Sequence, residues 1–168
     1  IVREVPPPAA AVDQITLATP QASTSGTAID FTGIPAGTKR ITVMFKGVST
    51  NNGTDNLLIQ IGDAGGFETT GYSSVSSNNA ASPTSTAGFI VTATVGAGSA
   101  FHGCATLNLY KAATFEWAGT HALADTIGGV TPSAGGGTKS LTAELTQVRI
   151  TTTGTANFDA GEINIAYE

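Results

Sequence analysis

Two histidines, one cysteine and a scatter of carboxylates are the residues of this sequence that could do chemistry. His102 and Cys104 stand two apart in Phe101-His102-Gly103-Cys104-Ala105-Thr106-Leu107, which places both on one face of a strand. With His121 they make three zinc-type ligands only if the chain brings them together. Neither histidine belongs to a His-x-His pair, so no metal and no cofactor is expected. Cys104 reads as a small, partly buried hydrophobe rather than a reactive thiol.

The carboxylates Asp13, Asp30, Asp55, Asp63, Glu68, Glu116, Asp125, Glu144, Asp159 and Glu162 are spread along the chain. A glycosidase needs two of them across a cleft, roughly 5–10 Å apart, and no segment presents paired acids beside aromatic platforms. The Asp-x-Asp-x-Asp spacing of an EF-hand loop is missing. Asp55 and Asp63 read as solvated turn residues, with a loop calcium site as the sharper alternative. No Gly-x-Ser-x-Gly elbow occurs. Gly62-Asp63-Ala64-Gly65-Gly66 and Gly135-Gly136-Gly137 lack the following helix and lysine that a phosphate cradle requires. No catalytic residue is therefore assigned.

Stacking on sugars needs an exposed aromatic ring with polar side chains around it. Trp117 alternates with Phe115 and reads as core. Tyr72 follows Gly71 in a polar stretch and is the surface candidate. Asn78, Asn79, His121 and Asp125 could supply hydrogen bonds beside it. These five residues form the candidate glycan-binding set. Asn52-Gly53-Thr54 matches the glycosylation sequon, a pattern too short to carry weight.

The 168 residues fit one domain, with residues 13–168 as its body and residues 1–12 as an arm. Only 11% of residues are charged and the net charge is −5, while 40% are hydrophobic. Polarity is carried by hydroxyls and amides. The seven Lys and Arg form no run, which argues against nucleic acid and against an anionic membrane surface. No apolar stretch approaches the roughly 20 residues of a bilayer span. The opening Ile1-Val2-Arg3-Glu4 reads as having no apolar leader, and its lack of Met points to an upstream piece.

Pro6-Pro7-Pro8 predicts an extended arm. Val5, Pro6, Pro7 and Pro8 are its candidate assembly contacts. From Gln14 onward the period is two. Ile15 and Leu17 alternate with Thr16 and Ala18, and Ala28–Phe31 is a second short strand. Ile41, Val43 and Phe45 share one face, while Arg40, Thr42 and Lys46 share the other. Leu57, Ile59 and Ile61 repeat the pattern, and Asn52-Gly53 between them predicts a hairpin over 39–62. Residues 71–85 read as a polar loop, and Thr86–Thr94 as a strand carrying Phe89 and Val91. Phe101–Tyr110 and Thr114–Thr120 predict a second hairpin, with a helix over 107–124 as the rival. A glycine-rich loop is expected over 128–137. Leu141, Ala143 and Leu145 lie opposite in parity to Val148 and Ile150, which predicts a bulge near Thr146-Gln147. Gly161 is placed for a second bulge between Phe158 and Ile163. Nine or ten short strands with frequent turns predict an all-β, antiparallel β-sandwich of jelly-roll type, carrying an extended Pro-rich N-terminal arm.

The run Thr24-Ser25-Gly26-Thr27-Ala28-Ile29-Asp30-Phe31-Thr32-Gly33-Ile34-Pro35-Ala36-Gly37-Thr38-Lys39-Arg40-Ile41-Thr42-Val43-Met44-Phe45 resembles the opening of a domain in bacteriophage and prophage virion proteins. The close, Val148–Thr152 and Phe158–Glu168, is similar to theirs, as is the arm Ile1–Pro6. The middle, residues 71–138, has no counterpart. The resemblance implies a virion component on the outside of a phage particle, with no catalytic residues to carry over. Such parts are commonly symmetric homo-oligomers, and a trimer is expected, with other virion proteins met through the arm. The first expectation is a tail-fibre or tail-tip domain that contacts a host surface glycan. A capsid decoration or head-fibre protein held by its arm is the second. A carbohydrate-binding module or glycosidase is the third.

Overall fold

The computed structural model describes residues 14–168; the arm expected over 1–12, with Val5, Pro6, Pro7 and Pro8, lies outside the described residues. The alternating segments become β1 (Thr16–Leu17), β2 (Gln21–Ala22), β3 (Ala28–Thr32), β4 (Arg40–Thr50) and β5 (Leu57–Asp63). The middle supplies β6 (Gly66–Phe67), β7 (Ser73–Ser77), β8 (Thr84–Ser85), β9 (Phe89–Ile90) and β10 (Phe101–Lys111). After one 3₁₀ turn at Ala112–Thr114 come β11 (Glu116–Asp125), β12 (Pro132–Ser140), β13 (Gln147–Thr152) and β14 (Phe158–Tyr167).

These strands make two antiparallel sheets, and the chain is a β-sandwich. The larger sheet runs β1-β14-β4-β10-β11-β12-β7-β8, with β2 also on β14. The smaller runs β3-β13-β5-β6, with β9 also on β5. One core fills the space between them. Ile41, Val43 and Phe45 of β4 point inward as the alternation requires, and meet Ile163 and Ile165 of β14 and Ile59, Ile61, Val148 and Ile150 of the smaller sheet. Trp117 is 1% exposed, in keeping with its alternation with Phe115.

The expected hairpin over 39–62 does not form. Strand β4 lies between β14 and β10, whereas β5 lies in the other sheet beside β13. A two-residue hairpin of the Asn-Gly kind needs positive φ at both turn residues, and neither Asn52 nor Gly53 has it. Asn52 instead accepts hydrogen bonds from the Thr54 amide and hydroxyl, both at 2.8 Å, and the chain crosses the edge of the sandwich. The β13–β14 connection crosses alongside it. The Asn51 amide donates to the Asn157 carbonyl and the Thr153 amide to the Asn56 carbonyl. A two-stranded ribbon that passes from one sheet to the other is the wrapping that gives the sandwich its jelly-roll character.

The parity change near Thr146-Gln147 has the same cause. Residues 141–146 are not a strand with a bulge; they cross from the larger sheet to the smaller, burying Leu141 and Leu145 on the way. Strands β13 and β14 are accordingly not neighbours. The second bulge is present: β14 shifts register on β4 between Phe158 and Glu162, and Gly161 takes φ +94° there.

The β10–β11 hairpin forms as expected, with Leu109 opposite Trp117, and the only helical turn near it is Ala112–Thr114. Two segments read as loops are strands. Residues 73–77 and 84–85 pair as β7 and β8, and Gly135-Gly136-Gly137 lies inside β12 between β11 and β7. A Cβ at Gly135 or Gly137 would run into β7 backbone, so glycine is what lets these strands approach. Thr86–Thr94, read as one strand, is a strand only at Phe89–Ile90.

Candidate functional site

The connections gather at two ends of the sandwich. At the first end Gln14 brings the chain in beside Pro35–Lys39, Tyr167 and Glu168, which line one recess. The 3₁₀ turn, residues 141–146 and residues 64–72 belong to this end through the strands they join. Its side chains are charged. Arg40 pairs with Glu168 at 2.6 Å, and Lys139, itself buried, donates to the Thr70 carbonyl at 2.9 Å and stands 3.4 Å from Glu68. Lys39, Lys111 and Glu144 are exposed here, as is Tyr110.

The second end holds residues 51–56, 78–83, 94–100, 126–131 and 153–157. No Lys or Arg occurs in these loops, and their carboxylates turn inward. Asp125, 4% exposed, accepts from Ser99 Oγ at 2.7 Å and from the backbone amides of Ala100, Ile127 and Gly128 at 3.0–3.1 Å. Burial alone would raise its pKa, but these donors outweigh it and hold the carboxyl below its ordinary value. Asp55 accepts from the Ala156 amide at 2.9 Å, and Asn51 Oδ1 from the Asn157 amide at 3.0 Å. The Asp125 clamp fixes a loop that presents Ile127 and Val130 to solvent, 70% and 74% exposed. Val130 has φ +48°, a left-handed backbone that a β-branched residue adopts only when its surroundings impose it.

The five residues of the expected glycan set do not share a surface. Tyr72 is buried, a correction to its reading as a surface aromatic. Its hydroxyl accepts from the Ile61 amide at 2.8 Å and donates to the Glu68 carbonyl at 2.9 Å, and its ring packs edge-on against Phe89. His121 points into the core with Nε2 2.9 Å from Ser76 Oγ, and burial pushes its pKa down to about 4. Asn78, Asn79 and Asp125 do reach the second end, but two of them are already engaged. Asn78 accepts from the amides of Ala80 and Ala81 and donates to Thr94 Oγ1, which ties its turn to the neighbouring loop. Asn79 alone remains exposed without a structural role.

Other readings change as well. Asp63 is buried, not a solvated turn residue. It accepts from Thr142 Oγ1 at 2.6 Å and the Gly65 amide at 2.8 Å, which lower its pKa. Cys104 is exposed on the outer face of the larger sheet, not partly buried. His102 and Cys104 face outward while His121 faces the core, so the three cannot share a metal. Among the described residues no group of three or more His, Cys, Asp or Glu converges as a metal site, and no helix is long and apolar enough to cross a membrane.

Sequence reasoning missed two surfaces. Val130 falls inside the loop expected over 128–137 and Ile127 just before it; their only signal is a pair of large aliphatics with no alternating neighbours. The second is an open trough of about 420 Å³ whose lining includes Ser73, Val75, Thr84, Thr86, Gly136 and Thr138. Compared with known proteins, the chain matches no family model, no curated protein and no solved structure.

Proposed function

We propose that this chain is a non-catalytic module on the exterior of a phage particle, a tail-fibre or tail-tip domain that contacts the host surface through its second end. One observation carries this reading: the described chain enters at the charged end, and the loops at the opposite end expose aliphatic, amide and hydroxyl groups without a cation. A module held by its N-terminal side turns those loops outward. Their chemistry suits neutral glycans, whose hydroxyls meet Asn79 and the loop threonines and whose C–H faces meet Ile127 and Val130. Anionic sugars would find no Lys or Arg there.

The test is a glycan array probed with the domain clustered on a multivalent support. Retention by neutral glycans is expected, with loss in an Ile127→Asp/Val130→Asp double variant of unchanged melting temperature. No binding to any neutral glycan, or binding indifferent to the double variant, would sink the proposal. The same entry of the chain also suits a capsid decoration or head-fibre protein anchored by its N-terminal arm. That reading places the affinity in the arm, so removal of residues 1–13 would abolish attachment to the particle and leave the distal loops without a ligand.

A further inference from the structure

The open trough at the β8 margin of the larger sheet has a lining of its own chemistry, and we propose that it binds a segment of neutral oligosaccharide. The site is separate from the distal loops. It spans two rungs of outward side chains across β12, β7 and β8. Gly136, Val75 and Thr84 make one rung, and Thr138 and Ser73 the next. Thr86 extends the second, because the Tyr72 amide donates to its carbonyl at 3.1 Å. Thr84 and Thr86 therefore stand on one side and Thr138 on the other, with Val75 between them, 39% exposed.

The hydroxyls here are of two kinds. Those of Ser74 and Ser85, at the alternate positions, already accept from the Ile90 and Ala87 amides. Those of Ser73, Thr84, Thr86 and Thr138 form no hydrogen bond among the described residues. Each of these four can donate one hydrogen bond and accept two, as the hydroxyls of a sugar do. No charged residue lines the trough. Lys139, next along β12, turns inward to the Thr70 carbonyl and Glu68. A phosphate, carboxylate or amine would lose hydration there and gain no counter-charge.

Two other ligand classes fit poorly. An apolar molecule would find Val75 as its one exposed aliphatic contact. A peptide adding as a strand finds no open edge on β12 or β7, each paired on both sides, and only two residues of β8. A neutral saccharide uses what is present: C–H groups against Val75 and hydroxyls against the four free side chains. At about 420 Å³ the trough has the size of a small-molecule site, and its open form lets a longer chain enter and leave.

The test is an NMR titration of the isotope-labelled full chain with maltotriose, cellotriose, mannotriose and lactose. With at least one of them, shifts are expected at the amides of residues 73–75, 84–86 and 136–138. Thr84→Val/Thr86→Val keeps the β-branched shape and removes two hydroxyls. It should weaken binding about fivefold per hydroxyl, or about 25-fold in all, at an unchanged melting temperature. Ile127→Asp/Val130→Asp should leave the trough shifts in place. Absence of shifts with all four sugars, or an affinity that Thr84→Val/Thr86→Val leaves unchanged, overturns the inference. Shifts confined to the distal loops overturn it too, while sustaining the reading of those loops; shifts confined to the trough do the reverse.

Discussion

The two ends of the sandwich solve the same problem with different chemistry. Each must satisfy backbone groups where the strands stop. At the end where the chain enters, the side chains that hold the backbone, Lys139 on Thr70 and Asp63 on Gly65, are themselves paired with Glu68 and Thr142, and Arg40 pairs with Glu168. At the far end, carboxylates and amides turn back onto backbone N–H groups: Asp125 onto Ala100, Ile127 and Gly128, Asp55 onto Ala156, Asn78 onto Ala80 and Ala81. The second solution turns the carboxylates of Asp125 and Asp55 onto the backbone and so fixes the loops. The loops themselves leave aliphatic, amide and hydroxyl groups for solvent and no Lys or Arg. An end built this way suits recognition by shape and by neutral groups.

The contrast breaks most sharply at Asp125. Asp125→Ala leaves the buried Ala100 amide, the part-buried Ile127 and Gly128 amides and the Ser99 hydroxyl without their acceptor, and a loss of about 3 kcal/mol is expected in denaturant unfolding. Protection of Ile127 and Gly128 from hydrogen exchange should vanish with it. Arg40→Ala at the other end removes a largely solvated pair, so less than about 1 kcal/mol should be lost. Equal losses at the two sites would erase the distinction drawn between them.

Acid offers a second, smaller test. His121 is held neutral by burial, with its pKa pushed down from 6.5 to about 4. Between those values the unfolded chain takes up a proton that the folded chain refuses. Stability therefore falls as pH drops from 6.5 to 4, and is flat with respect to this group above 6.5. The lowered carboxyls of Asp63 and Asp125 act in a different window, losing their contribution only below their ordinary 3.8. Melting temperatures of the native chain and His121→Gln across pH 4–7 should converge at the acid end. Parallel curves would mean that His121 accepts a proton without cost.

The smallest effect has the opposite sign. Val130→Gly relieves a left-handed β-branched residue, and a gain of roughly 1 kcal/mol is expected after glycine's own entropy is counted. Combined with loss of glycan retention, that gain would mark Val130 as a residue kept for contact at the expense of stability. A variant that gains stability and still binds as well would move the contact away from this loop.

Much of the fold was legible from period alone. Ile41, Val43 and Phe45 alternate with polar neighbours, and such a run has one way to bury its apolar side. The β10–β11 hairpin was legible because Leu109 and Trp117 lie symmetrically about a short turn. The 39–62 pair was not, because Asn52-Gly53 permits a hairpin without requiring one, and partner choice depends on strands more than a hundred residues away. The candidate site was legible only in part. Asn78, Asn79 and Asp125 do reach the far end, but Asn78 and Asp125 are consumed by amides two and three residues ahead, the Asx-turn habit of these side chains.

By itself, the order of residues determined the alternating strands such as β4, β5 and β10, the inward side of each, the bulge at Gly161 and the low charge of the surface, since all of these depend on neighbours within a few positions. Tertiary structure alone decided which sheet each strand joins, that Gly135–Gly137 is a strand interior, and that Tyr72 and His121 are core. Those outcomes are set by contacts between segments far apart in the chain, where sequence distance carries no information about proximity.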